Sequence, residues 1–209
     1  SCYNGTFNNF KVNSNYFEGS GRNEQDGFKI NASSDISFDD GWLIAGDDPF
    51  TIAACGPTAF GNSSNNVVRN TIFNPEQAGY VRFAFVEHGF TYSNNLLNNI
   101  YCIDSPVAYE VFKGESYGGY QYDALMHDNT FSDWYIDGTH KLLQLGMGYQ
   151  NNFRYKGLMD FNFDRIIIDG LTNSSEVKNE YPDAPTQVKF TDLVAGGEYI
   201  DNVADAGIR

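Results

Sequence analysis

From Asn23 to Ile52 the chain reads NEQDGFKINASSDISFDDGWLIAGDDPFTI, with apolar residues two apart in short runs divided by polar corners. Phe28–Ile30, Ile36–Phe38, Trp42–Ile44 and Phe50–Ile52 carry the alternation of half-buried β-strands. Asp26-Gly27-Phe28-Lys29-Ile30 returns in outline 22 residues later as Asp48-Pro49-Phe50-Thr51-Ile52. Each copy is a carboxylate, a turn residue and a strand. A parallel β-helix produces such a recurrence, because each coil brings the chain back to one place, about 4.8 Å higher. The expected fold is all-β: a right-handed parallel β-helix of about seven to nine irregular coils. If the two copies stack, Asp26 lies beneath Asp47-Asp48.

The pattern continues in both directions. Residues 1–22 offer one or two strands around Phe7, Phe10, Val12, Tyr16 and Phe17, ended by Gly19-Ser20-Gly21. Residues 53–66 read as a loop crowded with turn formers. Strands follow at Val67–Arg69, Thr71–Phe73 and Tyr80–Phe85, and SNNVVRNTIF is echoed by YSNNLLNNIYCID, HDNTFSDWYID and FNFDRIIIDGLTN. No segment has a convincing helical period; Glu110–Lys113 comes nearest and is too short. The largest insertion is 112–126, rich in Gly and Tyr. Near the end VKFTDLVAGGEYI alternates on both sides of Gly196-Gly197, which predicts a hairpin closing the last coil. Nothing divides the chain, so residues 1–209 are expected to form one domain. Its abrupt, strand-like start suggests the C-terminal part of a longer chain, whose earlier coils are missing or supplied by a partner.

Charge narrows the function. With 13 Lys+Arg against 27 Asp+Glu, the net charge of -14 argues against nucleic acid, which needs a basic surface. An aromatic content of 16% argues against an acidic disordered chain. No apolar run is long enough to span a membrane. Cys2, Cys55 and Cys102 form no CxxC pair, so no zinc site is expected, and an odd count leaves at least one thiol unpaired within the chain. Sequons at Asn4, Asn31, Asn62 and Asn173 are compatible with a secreted glycoprotein.

The chemistry gathers at Asp26, Asp47 and Asp48. Glycosidic hydrolysis by inversion needs one carboxylic acid to protonate the leaving oxygen and another carboxylate to activate water. Adjacent strand residues point to opposite faces, so Asp47 and Asp48 can share a groove only at a bend, which Gly46 and Pro49 can supply. Crowded carboxylates raise one another's pKa, as an acid working near neutral pH requires. The plain alternative is that Asp-Asp-Pro is only a turn, as Asp39-Asp40-Gly41 is read here.

Asn23-x-x-Asp26-Gly27, then Gly46-Asp47-Asp48 before an apolar strand, resembles the polygalacturonase family (glycoside hydrolase family 28). It is also similar to the β-helical dextranases and α-glucanases (families 49 and 87), which share the pectin-lyase-like solenoid. SNNVVRNTIF followed by GYVRFAF resembles the segment ending in the polygalacturonase R-I-K motif, and the closing coils resemble the dextranase group. The resemblance implies a metal-independent, cofactor-free, inverting hydrolase cutting inside a polysaccharide. It implies Asp47 as general acid, with Asp26 and Asp48 holding the attacking water. The sequence departs from the family in two places. No histidine stands in the Gly56–Gly61 region where the G-H-G motif belongs. Arg82-Phe83-Ala84 replaces R-I-K, so the lysine that meets a substrate carboxylate is absent. A neutral glycan is therefore expected rather than galacturonan.

Arg82 is a candidate for binding a sugar hydroxyl or stabilising the carboxylates. Tyr117, Tyr120 and Tyr122, in the inserted loop, are candidate stacking platforms for sugar rings. Trp134 is a weaker one, and Trp42 is read as core. His88, His127 and His140 lack ligand spacing and are read as structural or solvent-facing. The Asn runs are read as turns or internal hydrogen-bonded ladders. Two other functions remain open: a non-catalytic β-helix for glycan binding, adhesion or assembly, and a calcium-dependent lyase with Arg82 as base and the acidic cluster as metal site.

Overall fold

A computed structural model describes residues 2–14, 25–54, 61–76, 79–86, 91–111, 125–145, 159–171, 178–179, 186–195 and 198–200. Among them there is no helix, and fourteen strands join in one network. The principal ladder stacks β1 (Thr6–Asn13), β3 (Ser37–Ala45), β6 (Val67–Pro75), β9 (Leu96–Val111), β10 (Leu125–Leu145), β11 (Met159–Leu171) and β13 (Thr186–Ala195). Every pairing along it is parallel. A second ladder runs from β2 (Phe28–Asn31) through β4 (Phe50–Ala54) and β7 (Gly79–Val86) to the later half of β9. From there it continues along the end of β10 to β12 (Lys178–Asn179). A third, short face joins β5 (Ser63–Ser64), β8 (Thr91–Ser93) and the start of β10. The chain is thus a parallel β-helix. Residues Ser63 and Ser64, read from the sequence as loop, belong to this third face.

Two columns of left-handed residues make the corners. Asn4, Asp35, Asn65 and Asn94 precede the principal strands, Asp128 holds the corresponding place within β10, and Asn9, Asp40, Asn70, Asn99, Asp133, Arg165 and Asp192 bend them in the middle. The ladder skips the second column: Asn8 pairs with Asp39 and Phe10 with Gly41, leaving Asn9 and Asp40 out. Asn and Asp tolerate positive φ better than other residues with a Cβ, which is why the corners are rich in them. The Asp39-Asp40-Gly41 turn is one of these corners. Arg165 is the exception in type, and it is held by Asp133 and Asp164.

Alternation sends one set of side chains inward. Phe7, Phe38, Val68, Leu97, Phe131, Phe163 and Phe190 form a single in-register column, with stacked rings at Phe7–Phe38 and Phe131–Phe163–Phe190. Trp134 is buried and donates its indole N–H to the Leu97 carbonyl, so it is no sugar platform. Trp42, expected in the core, instead lies on the outward side of β3 and is 37% exposed. Beside this core runs a buried amide ladder. Asn66 Nδ2 donates to Asn95 Oδ1, and Asn95 Nδ2 to Asn129 Oδ1, at 2.9 and 2.8 Å. At the top, β14 (Glu198–Ile200) folds back antiparallel on β13 as the expected hairpin, covering an edge that would otherwise be open.

Candidate active site

The 22-residue recurrence is an in-register stack: Phe28 pairs with Phe50, Lys29 with Thr51 and Ile30 with Ile52. Between β3 and β4 the chain bends at Gly46–Pro49, and the bend is bonded to the coil below. Asp47 N–H donates to the Gln25 carbonyl, Gly27 N–H to that of Asp48, and Phe28 N–H to that of Pro49. The approach is close enough to explain the glycine after Asp26. A Cβ on Gly27 would stand 2.4 Å from the Pro49 oxygen. The corner therefore brings Asp26 and both members of the Asp47-Asp48 pair together. One carboxylate oxygen from each lies within 4.8 Å of those from the other two.

Arg82 completes the cluster. It stands one rung above Thr51 in the register, and its Nη1 donates to Asp48 Oδ2 at 2.9 Å. Of the two roles considered for it, charge stabilisation is the one the geometry displays. Asp26 and Asp47 are partly open to solvent, whereas Asp48 is fully buried. Its other oxygen, Oδ1, has no hydrogen-bond partner among the described residues. Burial pushes the Asp48 carboxyl up from 3.8 to about 7; Arg82 opposes the shift, while Asp47 and then Asp26 add to it. A raised pKa was expected from crowding and was attached to the general acid. It falls on Asp48, and burial is its first cause.

An inverting pair ordinarily stands about 6.5–9.5 Å apart, yet one oxygen from each carboxylate here lies within 4.8 Å of those from the other two. That bound admits a single water bridge: two hydrogen bonds of about 2.7–2.8 Å at a tetrahedral angle span roughly 4.5 Å. The cluster can hold a water or share a proton. As a calcium site it is poor in donors, since calcium takes about six to eight oxygens and Asp48 already accepts from a guanidinium. A lyase mechanism with Arg82 as base finds no support in this pairing, because the guanidinium is engaged as a donor to Asp48.

Thr51 escaped the sequence reading. Its hydroxyl is buried in the column between Lys29 and Arg82, without a hydrogen-bond partner among the described residues. The signal was present, since Lys29 and Thr51 hold the same place in the two copies of the repeat. Tyr117, Tyr120, Tyr122, most of the Gly56–Gly61 region, Cys55, Asn173 and His88 lie outside the described residues, as does the side chain of His140. His127 is partly exposed and contacts Asp128 at 2.6 Å. Cys2 is exposed and Cys102 buried, both as free thiols. Comparison with protein-family models finds none that matches the chain, and comparison with curated proteins likewise finds no match.

Proposed function

We propose that this β-helix is a secreted, metal-independent hydrolase that cleaves a neutral polysaccharide through Asp26, Asp47 and Asp48. The observation that carries the reading is the in-register stack that gathers three carboxylates around one guanidinium, with one carboxyl, Asp48, titrating at about 7. Such a group gives acid and base forms side by side near neutrality. Asp47 is the acid, because it is partly open to solvent and can reach a glycosidic oxygen, which buried Asp48 cannot. Asp26 and Asp48 hold the attacking water, their oxygens being at bridging distance. Inversion then requires the Asp47 side chain to turn outward as the sugar enters, opening the gap to about 6.5 Å or more. The net charge of -14 and the Ala84 that stands where R-I-K has lysine disfavour a polyanionic substrate.

The test is Asp47→Asn, assayed for glucan hydrolysis and for melting. Loss of about two to four orders of magnitude in rate, with the melting temperature preserved, is the expected result. The first-formed product should carry inverted anomeric configuration. Unchanged turnover with a shifted melting temperature would reduce Asp47-Asp48 to a turn. A parent protein inactive on neutral glycans would favour a non-catalytic β-helix for binding or assembly.

A further inference from the structure

Two polar atoms of the acidic corner have no use in the chemistry described so far. Asp48 and Thr51 flank the Pro49-Phe50 step that leads into β4, and both residues are fully buried. Asp48 Oδ1 and Thr51 Oγ1 each lack a hydrogen-bond partner among the described residues. The register shows that they serve one place. Paired residues of parallel strands send their side chains to the same face, so Thr51 points the way of Lys29 below it and Arg82 above it. That is the outward side of this ladder, since Phe50 and Ile52 fill the core. From the same column the Arg82 guanidinium reaches Asp48 Oδ2 at 2.9 Å. An outward threonine on a strand is ordinarily wet; this one is shut in, one rung below the side chain that holds Asp48.

Buried polar atoms are ordinarily met by protein groups or by an internal water with two to four partners. Asp48 Oδ1 and Thr51 Oγ1 make no bond to each other, so a small molecule that both donates and accepts is needed to satisfy the two together. Arg82 cannot take that part, because a guanidinium only donates.

We propose that a water molecule enclosed in the corner links the Thr51 hydroxyl to Asp48 Oδ1, and that Thr51 is thereby a positioning residue for Asp48. In the hydrolase reading Asp48 holds the attacking water together with Asp26, and only the catalytic consequence of the link rests on that reading. The link suits a carboxyl that changes charge. When Asp48 is ionised, the enclosed water donates to Oδ1 and accepts from the Thr51 hydroxyl. When Oδ1 carries a proton, it donates to the water, and the water donates to Thr51 Oγ1. Water and hydroxyl each donate and accept, so the line reverses by rotation and no heavy atom moves. Arg82 on β7, Asp47 beside it and Asp26 in the coil below are the charges that act on Asp48. Lys29 on β2 stands one rung under Thr51, and Glu110 on β9 one rung over Arg82. A substitution at Thr51 leaves all of these in place, so a changed Asp48 titration reports on the hydroxyl.

NMR of the side-chain carboxyl carbons reads that titration in the whole protein, with Asp48→Asn assigning the resonance. In the wild type Asp48 titrates at about 7. Thr51→Val keeps the β-branched shape and removes the donor behind the ionised form, so the midpoint should rise by about 0.5–1 pH unit. Thr51→Ser keeps the hydroxyl and should return the midpoint to that of the wild type. A crystal structure of the wild type should show one water within hydrogen-bond distance of both Asp48 Oδ1 and Thr51 Oγ1. Equal midpoints in the wild type and Thr51→Val overturn the proposal, as does a serine variant that titrates like the valine one. So does a wild-type crystal structure without that water, which decides the question even where the valine variant does not fold. Hydrolysis is a separate arm: in a protein that turns over a neutral glucan, the limb of the pH–rate profile that belongs to Asp48 should move with the NMR midpoint. A midpoint that responds to Thr51 in a protein inactive on glycans sinks the hydrolase reading and leaves the water link standing.

Discussion

Asp48→Asn isolates the energetic consequence of burying a carboxyl in the corner. The folded-state pKa is about 7, against an ordinary 3.8. Between those values the folded chain holds a proton that the unfolded chain has released, so stability falls as pH rises. The contribution is fully present below about pH 3.8 and is lost above about pH 7; across that window it amounts to about 4 kcal/mol. For a chain of this size that corresponds to roughly 10 °C in melting temperature. Asparagine has nearly the same shape, stays neutral at every pH and lacks the effect. Urea denaturation of both proteins at pH 4, 5, 6, 7 and 8 supplies the comparison, and subtracting one curve from the other removes the titration of the remaining carboxylates. The wild-type advantage should shrink by about 4 kcal/mol from pH 4 to pH 8. A difference independent of pH, or one that grows with pH, would refute the reasoning. It would mean that the 2.9 Å pairing with Arg82 outweighs the desolvation of Asp48.

Gly27→Ala places a methyl against the Pro49 carbonyl, which no side-chain rotation relieves; a loss of about 1–3 kcal/mol in stability is expected, with lowered hydrolysis because Asp26 moves with its neighbour. Asn95→Leu keeps the volume but strips the Asn66 backbone N–H of its acceptor, while Asn129 Oδ1 loses the side-chain donor and keeps the backbone N–H of residue 95. At about 1–3 kcal/mol for the stranded group, the midpoint in urea should fall by that equivalent, whereas an unchanged midpoint would show that water replaces the amide.

What could be read from the sequence follows from what a solenoid repeats. Asp26 and Asp48 were matched because both precede a turn residue and a strand whose apolar positions agree, and the register pairs those strands as expected. The hairpin at the end was legible for the same local reason. A period of two separates two faces but does not say which is inward, and so Trp42 was assigned to the core while Leu43, its neighbour, fills it. The left-handed corners were legible only in part. Asp40 was seen as a turn, but the column of Asn and Asp at that place, broken only by Arg165, emerges only once spacings of 27 to 34 residues are aligned in space. The division of labour at Asp47-Asp48 lay furthest from the sequence. The two residues are chemically identical neighbours, and what distinguishes them is the coil above. There the register sets Arg82 over Thr51. The guanidinium reaches down to Asp48, which is therefore both enclosed and charge-paired, while Asp47 keeps its solvent access. A corner that holds one carboxyl in and leaves its neighbour out creates two environments from one residue type, which is the condition for separating an acid from a base.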